Sequence, residues 1–211
     1  MLITAHGGAL NTGRNTPKFF QTIKGYEVDV IEVDIYRAAG TLYISHMPKL
    51  FYKRALTLAY VFDYLKDTNF KVNCDVKMNA LVAPVTELAQ KHNVADRLIF
   101  TGAVSRKDIA AATAGDIYLN AAFFLPMRIN TENLERVKQI IDRLNSGHVK
   151  GLNLNYKKID DAFLDKAKEL GIPLSLYTVD EEARLAGLLK REELANITTN
   201  IVDAAIKSRE K

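Results

Sequence analysis

Strand-like and helix-like segments alternate along the whole chain, and this alternation constrains the fold more than any other feature of the sequence. "MLITAH" reads as a short apolar strand. "NTPKFFQTIKG" reads as a helix opened by Thr16-Pro17 and closed by Gly25. "VIEVDIYRAAGTLYISHM" is a strand, a turn and a return strand. "ALTLAYVFDYLKDT" is helical, with Leu58, Val61, Phe62 and Leu65 on one face. The strand "FKVNCDVKM" precedes a helix from Pro84 to about Asn93. "RLIFTGA" leads to "SRKDIAAATAG", where Ser105 caps the helix and Asp108 closes a capping box. The rest runs as "DIYLNAAF" then a helix from Thr131 to a Gly147 stop, "VKGLNLNY" then "DDAFLDKAKELG", "IPLSLYTV" then "DEEARLAGLLKREEL", and "NITTNI" then "VDAAIKSREK". Such a rhythm implies a parallel sheet with crossover helices. Eight units in 211 residues point to a compact (β/α)8 TIM barrel, a single domain over 1–211 without a sizeable capping insertion. A doubly wound open sheet is the alternative.

Composition narrows the function. Twenty-nine basic against 25 acidic residues leave a net charge of +4, compatible with an anionic small molecule and too mild for nucleic acid. The closing "KSREK" reads as a solvated last turn and tail. One cysteine, Cys74, excludes an intramolecular disulfide framework. No apolar run reaches the roughly 18 residues of a membrane span, so stable membrane insertion is not expected. "MLITAHGG" does not read as a signal peptide, and the cytoplasm is the expected compartment.

In a barrel the carboxyl ends of the strands form the working face. Read there, the chain places His6, then Glu32 and Asp34, then Asp75 and Lys77, and later Thr101, Asn120, Asn153, Asn155, Thr178, Thr199 and Asn200. Side chains alternate along a strand, so Glu32 and Asp34 share one face and Asp75 and Lys77 another. Three converging carboxylates call for a cation, and an oxygen-coordinated Mg2+ or Ca2+ answers their repulsion better than one lysine. A salt-bridge cluster at the barrel mouth is the bland alternative. His6 and His46, at strand ends beside the carboxylates, suit a general acid and base. His92 and His148 lie at helix or loop ends with no acidic neighbour in register and read as surface residues.

"AHGG", "RNTPKFF", "VIEVDIYRAAGTLYISHM", "CDVKM", "LYTVD" and "NITTNI" together resemble the glycerophosphodiester phosphodiesterase family of TIM barrels. The resemblance implies one divalent cation, Mg2+ or Ca2+, on Glu32, Asp34 and Asp75. It further implies acid/base work by His6 and His46, and phosphate contact from Lys77. The departures are specific. The family's arginine after the first histidine is Gly7; Arg14 stands where its helix start has glutamate and could supply a cation from another direction. Asp75 replaces a glutamate, as in the related spider-venom sphingomyelinases D. Met47 replaces an aspartate, and Tyr177 a tryptophan. The short connection from His46 to Asp75 leaves little room for the family's small subdomain.

The expected activity is metal-dependent hydrolysis of a glycerophosphodiester or a related small or lipid-derived phosphodiester. Two alternatives stay open: a barrel that binds a phosphorylated ligand without turnover, and a metal-assisted lyase that forms a cyclic phosphate.

Overall fold

The structure, a computed structural model, describes residues 1–209. Within them nine strands form one sheet: β1 (Leu2–Ala5), β2 (Val30–Ala38), β3 (Thr41–Ile44), β4 (Lys71–Val76), β5 (Leu98–Gly102), β6 (Asp116–Asn120), β7 (Val149–Asn155), β8 (Leu174–Tyr177) and β9 (Leu194–Thr199). All but β3 run parallel, and β1 pairs with both β2 and β9, which closes the barrel. β3 folds back antiparallel on β2 as a hairpin, outside the closed ring. The helices are α1 (Pro17–Ile23), α2 (Leu58–Lys66), α3 (Val82–Lys91), α4 (Arg106–Ala110), α5 (Leu134–Arg143), α6 (Asp161–Glu169), α7 (Glu182–Leu188) and α8 (Val202–Arg209). The (β/α)8 barrel is therefore the fold, and the open sheet is excluded.

Alternation along the strands builds two different interiors. Ile3, Ile31, Val33, Cys74, Phe100, Ile117 and Leu176 belong to the large apolar core that also takes in the helices' buried faces. The inward positions start on an apolar floor of Val30, Ile99 and Tyr118, with Leu2 and Ala195 against it. Above that floor the barrel turns polar. Thr4 donates to Asn196 (2.6 Å), Asn196 to Ser175 (3.0 Å), Ser175 to Asn153 (2.9 Å) and Asn153 to Asn120 (3.1 Å). Each polar side chain of this series thus finds a partner, which removes most of the desolvation cost of keeping it there.

Helix starts follow local chemistry. The Thr16 hydroxyl accepts from Phe19 N–H, with Pro17 in the first turn. Ser105 and Asp108 form the reciprocal box expected of them. Boundaries elsewhere move by about a turn. Pro84 lies in the first turn of α3, where its missing N–H costs nothing, so that helix begins earlier, at Val82. The helical path expected from Thr131 opens there as a 3-10 turn, Thr131–Asn133, capped by Asn130, and α5 itself begins at Leu134. Gly25 and Gly147 lie beyond the helix ends, at Ile23 and Arg143. Glu210 and Lys211, the end of the expected last helix, lie outside the described residues. The surface reading of His92 and His148 is corrected: both are half-buried. His92 Nδ1 lies 3.0 Å from Asp63 on α2, and His148 Nδ1 2.9 Å from the Gly115 carbonyl. Both partners are distant in sequence and so invisible to local spacing.

Asp108 does more than cap α4. Its carboxylate also accepts from the backbone N–H groups of Ala80 (3.1 Å) and Val82 (3.2 Å), tying the loop before α3 to α4. Burial acts to raise its pKa; bonds from Ser105, Ala80 and Val82 override this and hold it below the usual aspartate value. The stabilisation is therefore complete above the unfolded aspartate value of about 3.9 and is lost as pH falls through the lower folded value. Asp108→Ala should lower stability at neutral pH by about 1–3 kcal/mol, a fall of several degrees in melting temperature by calorimetry.

Candidate active site

β2 and β4 are in register with Asp34 beside Asp75 and Glu32 beside Asn73. Like charges on neighbouring strands inside a barrel repel unless a cation meets them. Here that cation is Lys77, whose Nζ lies 2.6 Å from Asp34 Oδ1 and 2.5 Å from Asp75 Oδ2. Burial alone would lower the lysine's pKa; Asp75 and Asp34 override it and push it upward. Asp34 is further held by Asn15, which donates to its carboxylate (2.8 Å) and accepts from its backbone N–H (3.2 Å).

Glu32 lies deeper. Asn73 donates to it at 3.3 Å, and Asn73 in turn accepts from Thr101 at 3.0 Å. Burial, then the charges of Asp75 and Asp34, push the Glu32 carboxyl up to about 8, with Lys77 and Asn73 only partly opposing. Burial also raises Asp75 against the pull of Lys77. One ammonium therefore does not neutralise three carboxylates. Gly102 makes room for the cluster: its φ is +86°, and a Cβ there would stand 2.2 Å from Asp75 Oδ1.

His6 follows the carboxyl end of β1. Its Nδ1 lies 3.0 Å from Asn200 Oδ1, while Asn200 donates both its amide (2.8 Å) and its backbone N–H (2.7 Å) to Asp180. Because the Asn200 amide is already donated, its oxygen is the acceptor, and His6 carries its proton on Nδ1. Nε2 is then the lone-pair nitrogen, 3.8 Å from Glu32 Oε1. Burial first, and Arg14 second, hold the His6 pKa below the ordinary histidine value.

His46 reaches the same mouth from the return strand, where Ser45 N–H bonds the Asp34 carbonyl at 2.9 Å. Its Nδ1 is 3.6 Å from Asp34 Oδ2, and Arg14 Nη1 lies 2.7 and 2.6 Å from its two ring nitrogens. A cavity of about 440 Å³ joins His6, Arg14, Glu32, Asp34, His46, Asp75 and Lys77, with Asn120, Asn153 and Tyr177 among its other lining residues. The seven candidates read from the sequence thus share one space. Thr101 and Thr178 line it as well, whereas the Asn155 and Thr199 side chains turn to nearby backbone. A larger groove of about 660 Å³, lined by Arg37, Glu87 and Lys91, lies on the outer side of the hairpin and contains none of the seven.

Spacing had not singled out Asn15, Asn73 or Asp180. Asn73 carried a readable signal, since it sits two residues before Asp75 and must share its face. Asn15 and Asp180 reach the site from loops, which strand parity does not describe.

Among the described residues no three His, Cys, Asp or Glu side chains form a ready-made metal-holding group. The donor chemistry of Glu32, Asp34 and Asp75 nevertheless fits a hard divalent cation: oxygen ligands only, carrying more negative charge than Lys77 offsets.

No protein-family model matches the chain, and no curated protein is significantly similar in sequence. Solved structures do match. A putative glycerophosphoryl diester phosphodiesterase from Agrobacterium tumefaciens str. C58 aligns over 100% of this chain and 97% of its own, at 16% identity and TM-score 0.79. A glycerophosphodiester phosphodiesterase from Parabacteroides distasonis ATCC 8503 aligns over 99% and 96%, at 13% identity and TM-score 0.74. A phosphodiesterase from Oleispira antarctica, solved with the product sn-glycerol-3-phosphate, aligns over 100% and 97%, at 14% identity and TM-score 0.72. The chain has the glycerophosphodiester phosphodiesterase fold. The resemblance read from the motifs therefore holds at the level of fold, over the full described barrel.

Two measurements probe this site directly. His6 should titrate below about 6.5 and carry its neutral-state proton on Nδ1; nitrogen NMR of metal-free protein reads both, and Asn200→Ala should weaken the tautomer preference. Gly102→Ala should displace Asp75 and cost several kcal/mol, because it combines left-handed strain with a clash against a carboxylate. A melting temperature unchanged from the parent would contradict that packing.

Proposed function

We propose that the chain is a metal-dependent phosphodiesterase acting on a glycerophosphodiester or a related small or lipid-derived phosphodiester. The supporting observation is one cavity in which His6 and His46 stand beside a carboxylate cluster with unbalanced negative charge. Glu32, Asp34 and Asp75 are the residues that would hold Mg2+ or Ca2+, with Lys77 releasing part of its grip on Asp34 and Asp75. Such a cation, when bound, neutralises phosphoryl oxygens and supplies Lewis-acid assistance.

The chain's own residues divide the remaining work. His6 is the base: its pKa is lowered, Asn200 fixes Nδ1–H, and Nε2 takes the proton of the attacking oxygen. His46 delivers the proton to the departing alcohol from the opposite part of the mouth. Lys77 and Arg14 hold the phosphate. Gly7 explains why the family's arginine is missing from its usual place. A Cβ there would meet the Glu32 carbonyl oxygen at 2.9 Å, so on this backbone a side chain needs a local shift. Arg14, already against His46, takes over from the side.

One observation favours a second reading, a barrel that binds a phosphorylated ligand without turnover: Lys77 already bridges two of the three carboxylates. Calorimetry and turnover separate the two. The parent should bind Mg2+ or Ca2+ and hydrolyse bis-aryl phosphodiesters and glycerophosphocholine. Glu32→Gln should weaken cation binding and turnover together, and His6→Ala or His46→Ala should lower turnover by about 10²–10⁴-fold with cation affinity kept. Unchanged cation affinity in Glu32→Gln would remove that residue from the ligand set. Phosphate binding without turnover in the parent would leave the binding reading.

A further inference from the structure

The loop after β3 leaves the site at His46 and carries Met47, Leu50 and Phe51 at 64%, 87% and 69% exposure. Seven large hydrophobic side chains are exposed among the described residues: Met1 and Tyr60, these three on the loop that leaves the cavity lining at His46, and Met78 and Leu125 on loops that follow the carboxyl ends of the parallel strands β4 and β6. That is the face on which the cavity opens. Met78 directly follows Lys77, and Leu125 comes five residues after Asn120.

The β3 loop is a built projection. Ile44 N–H bonds the Leu56 carbonyl at 2.9 Å, closing its base, and Lys49 N–H donates to the Tyr43 hydroxyl at 3.3 Å. Tyr36 stacks on Tyr43, centroids 5.9 Å apart, and Tyr52 lies tilted against Tyr43 at 5.8 Å. The apolar tip is therefore held away from the core, which never covers it. Its charges are of one sign. Lys49, Lys53 and Arg54 are exposed and in no ion pair among the described residues, and no acidic residue occurs between His46 and Asp63.

We propose that this loop docks the barrel, mouth first, onto an anionic lipid surface. Exposed apolar side chains flanked by cations match an interface in which acyl chains take the tip and anionic headgroups take the cations. A protein partner would need a groove shaped to Leu50 and Phe51; a bilayer needs none. Docking is independent of the hydrolase reading. Its consequence rests on that reading: the phosphodiester presented to His6 and His46 is then a lipid headgroup in the surface.

The test is sedimentation of the full chain with vesicles of phosphatidylcholine alone and of phosphatidylcholine mixed with phosphatidylserine. The parent should partition onto the mixed vesicles, and added salt should release it. Leu50→Asp with Phe51→Asp should abolish binding. The triple change Lys49→Ala, Lys53→Ala, Arg54→Ala should weaken it by about fivefold per cation removed. Both variants should keep the parent's melting temperature, which separates loss of docking from loss of fold. Sedimentation needs no turnover, so failure of the hydrolase assignment would leave this result readable. No partition by the parent, equal partition onto both vesicles, or variants that bind like the parent would overturn the proposal. So would a dimer by light scattering that the Leu50/Phe51 variant converts to monomer, since the tip would then belong to a second copy.

Discussion

The Lys77 ammonium, held between Asp34 and Asp75, is the interaction on which the rest of the site depends. Register puts those two carboxylates side by side on adjacent parallel strands, a few ångströms apart within a closed ring. No movement of the strands can separate them without opening the barrel. Lys77 answers both charges from one position and leaves Glu32, one residue pair deeper, without a cation of its own. Asn15, Asn73 and Gly102 then follow as consequences: two amides that hold carboxylate oxygens and one missing Cβ that gives Asp75 its place.

The same logic extends down the barrel. An interior filled with branched aliphatic side chains would pack well and would surround Glu32 with a medium hostile to charge. This barrel instead runs hydrogen bonds from Thr4 through Asn196, Ser175 and Asn153 to Asn120, and from Thr101 through Asn73 to Glu32. Apolar packing is moved outward, to the layer between strands and helices, and downward, to the floor at Val30, Ile99 and Tyr118. Outward positions of the strands thus carry most of the apolar packing, while the inward positions above the floor carry the site chemistry.

That division explains which parts of the molecule were legible in the sequence. Apolar runs long enough to be buried on both faces, separated by capped helices, announced the barrel. Glu32, Asp34, Asp75 and Lys77 stood out because charge is unexpected at inward positions of such runs, and parity alone grouped them. Helix ends were less legible, since Pro84 and Asn130 set starts through first-turn geometry that periodicity does not resolve. Asp180 and Asn200 show the limit most clearly. Their value lies in a chain of contacts to His6, 194 residues from Asn200 in sequence, which exists only once β9 closes against β1. His92 with Asp63 was hidden for the same reason.

The charge balance of the mouth links these features to the proposed chemistry. Glu32, Asp34 and Asp75 face Lys77 and Arg14, so with all of them ionised the site keeps an excess negative charge before any phosphodiester enters. An anionic substrate would be repelled from that state. Two routes relieve it. Glu32, pushed up to about 8, can hold a proton at neutral pH, which cancels the excess and leaves little to attract a phosphate beyond the lysine and arginine. A divalent cation held by the same carboxylates would displace that proton and turn the local balance positive, which on the proposed reading would favour an anionic phosphate. On the proposed reading, proton and metal would therefore compete for one carboxyl, with burial of Glu32 favouring the proton and the Asn73 hydrogen bond opposing it.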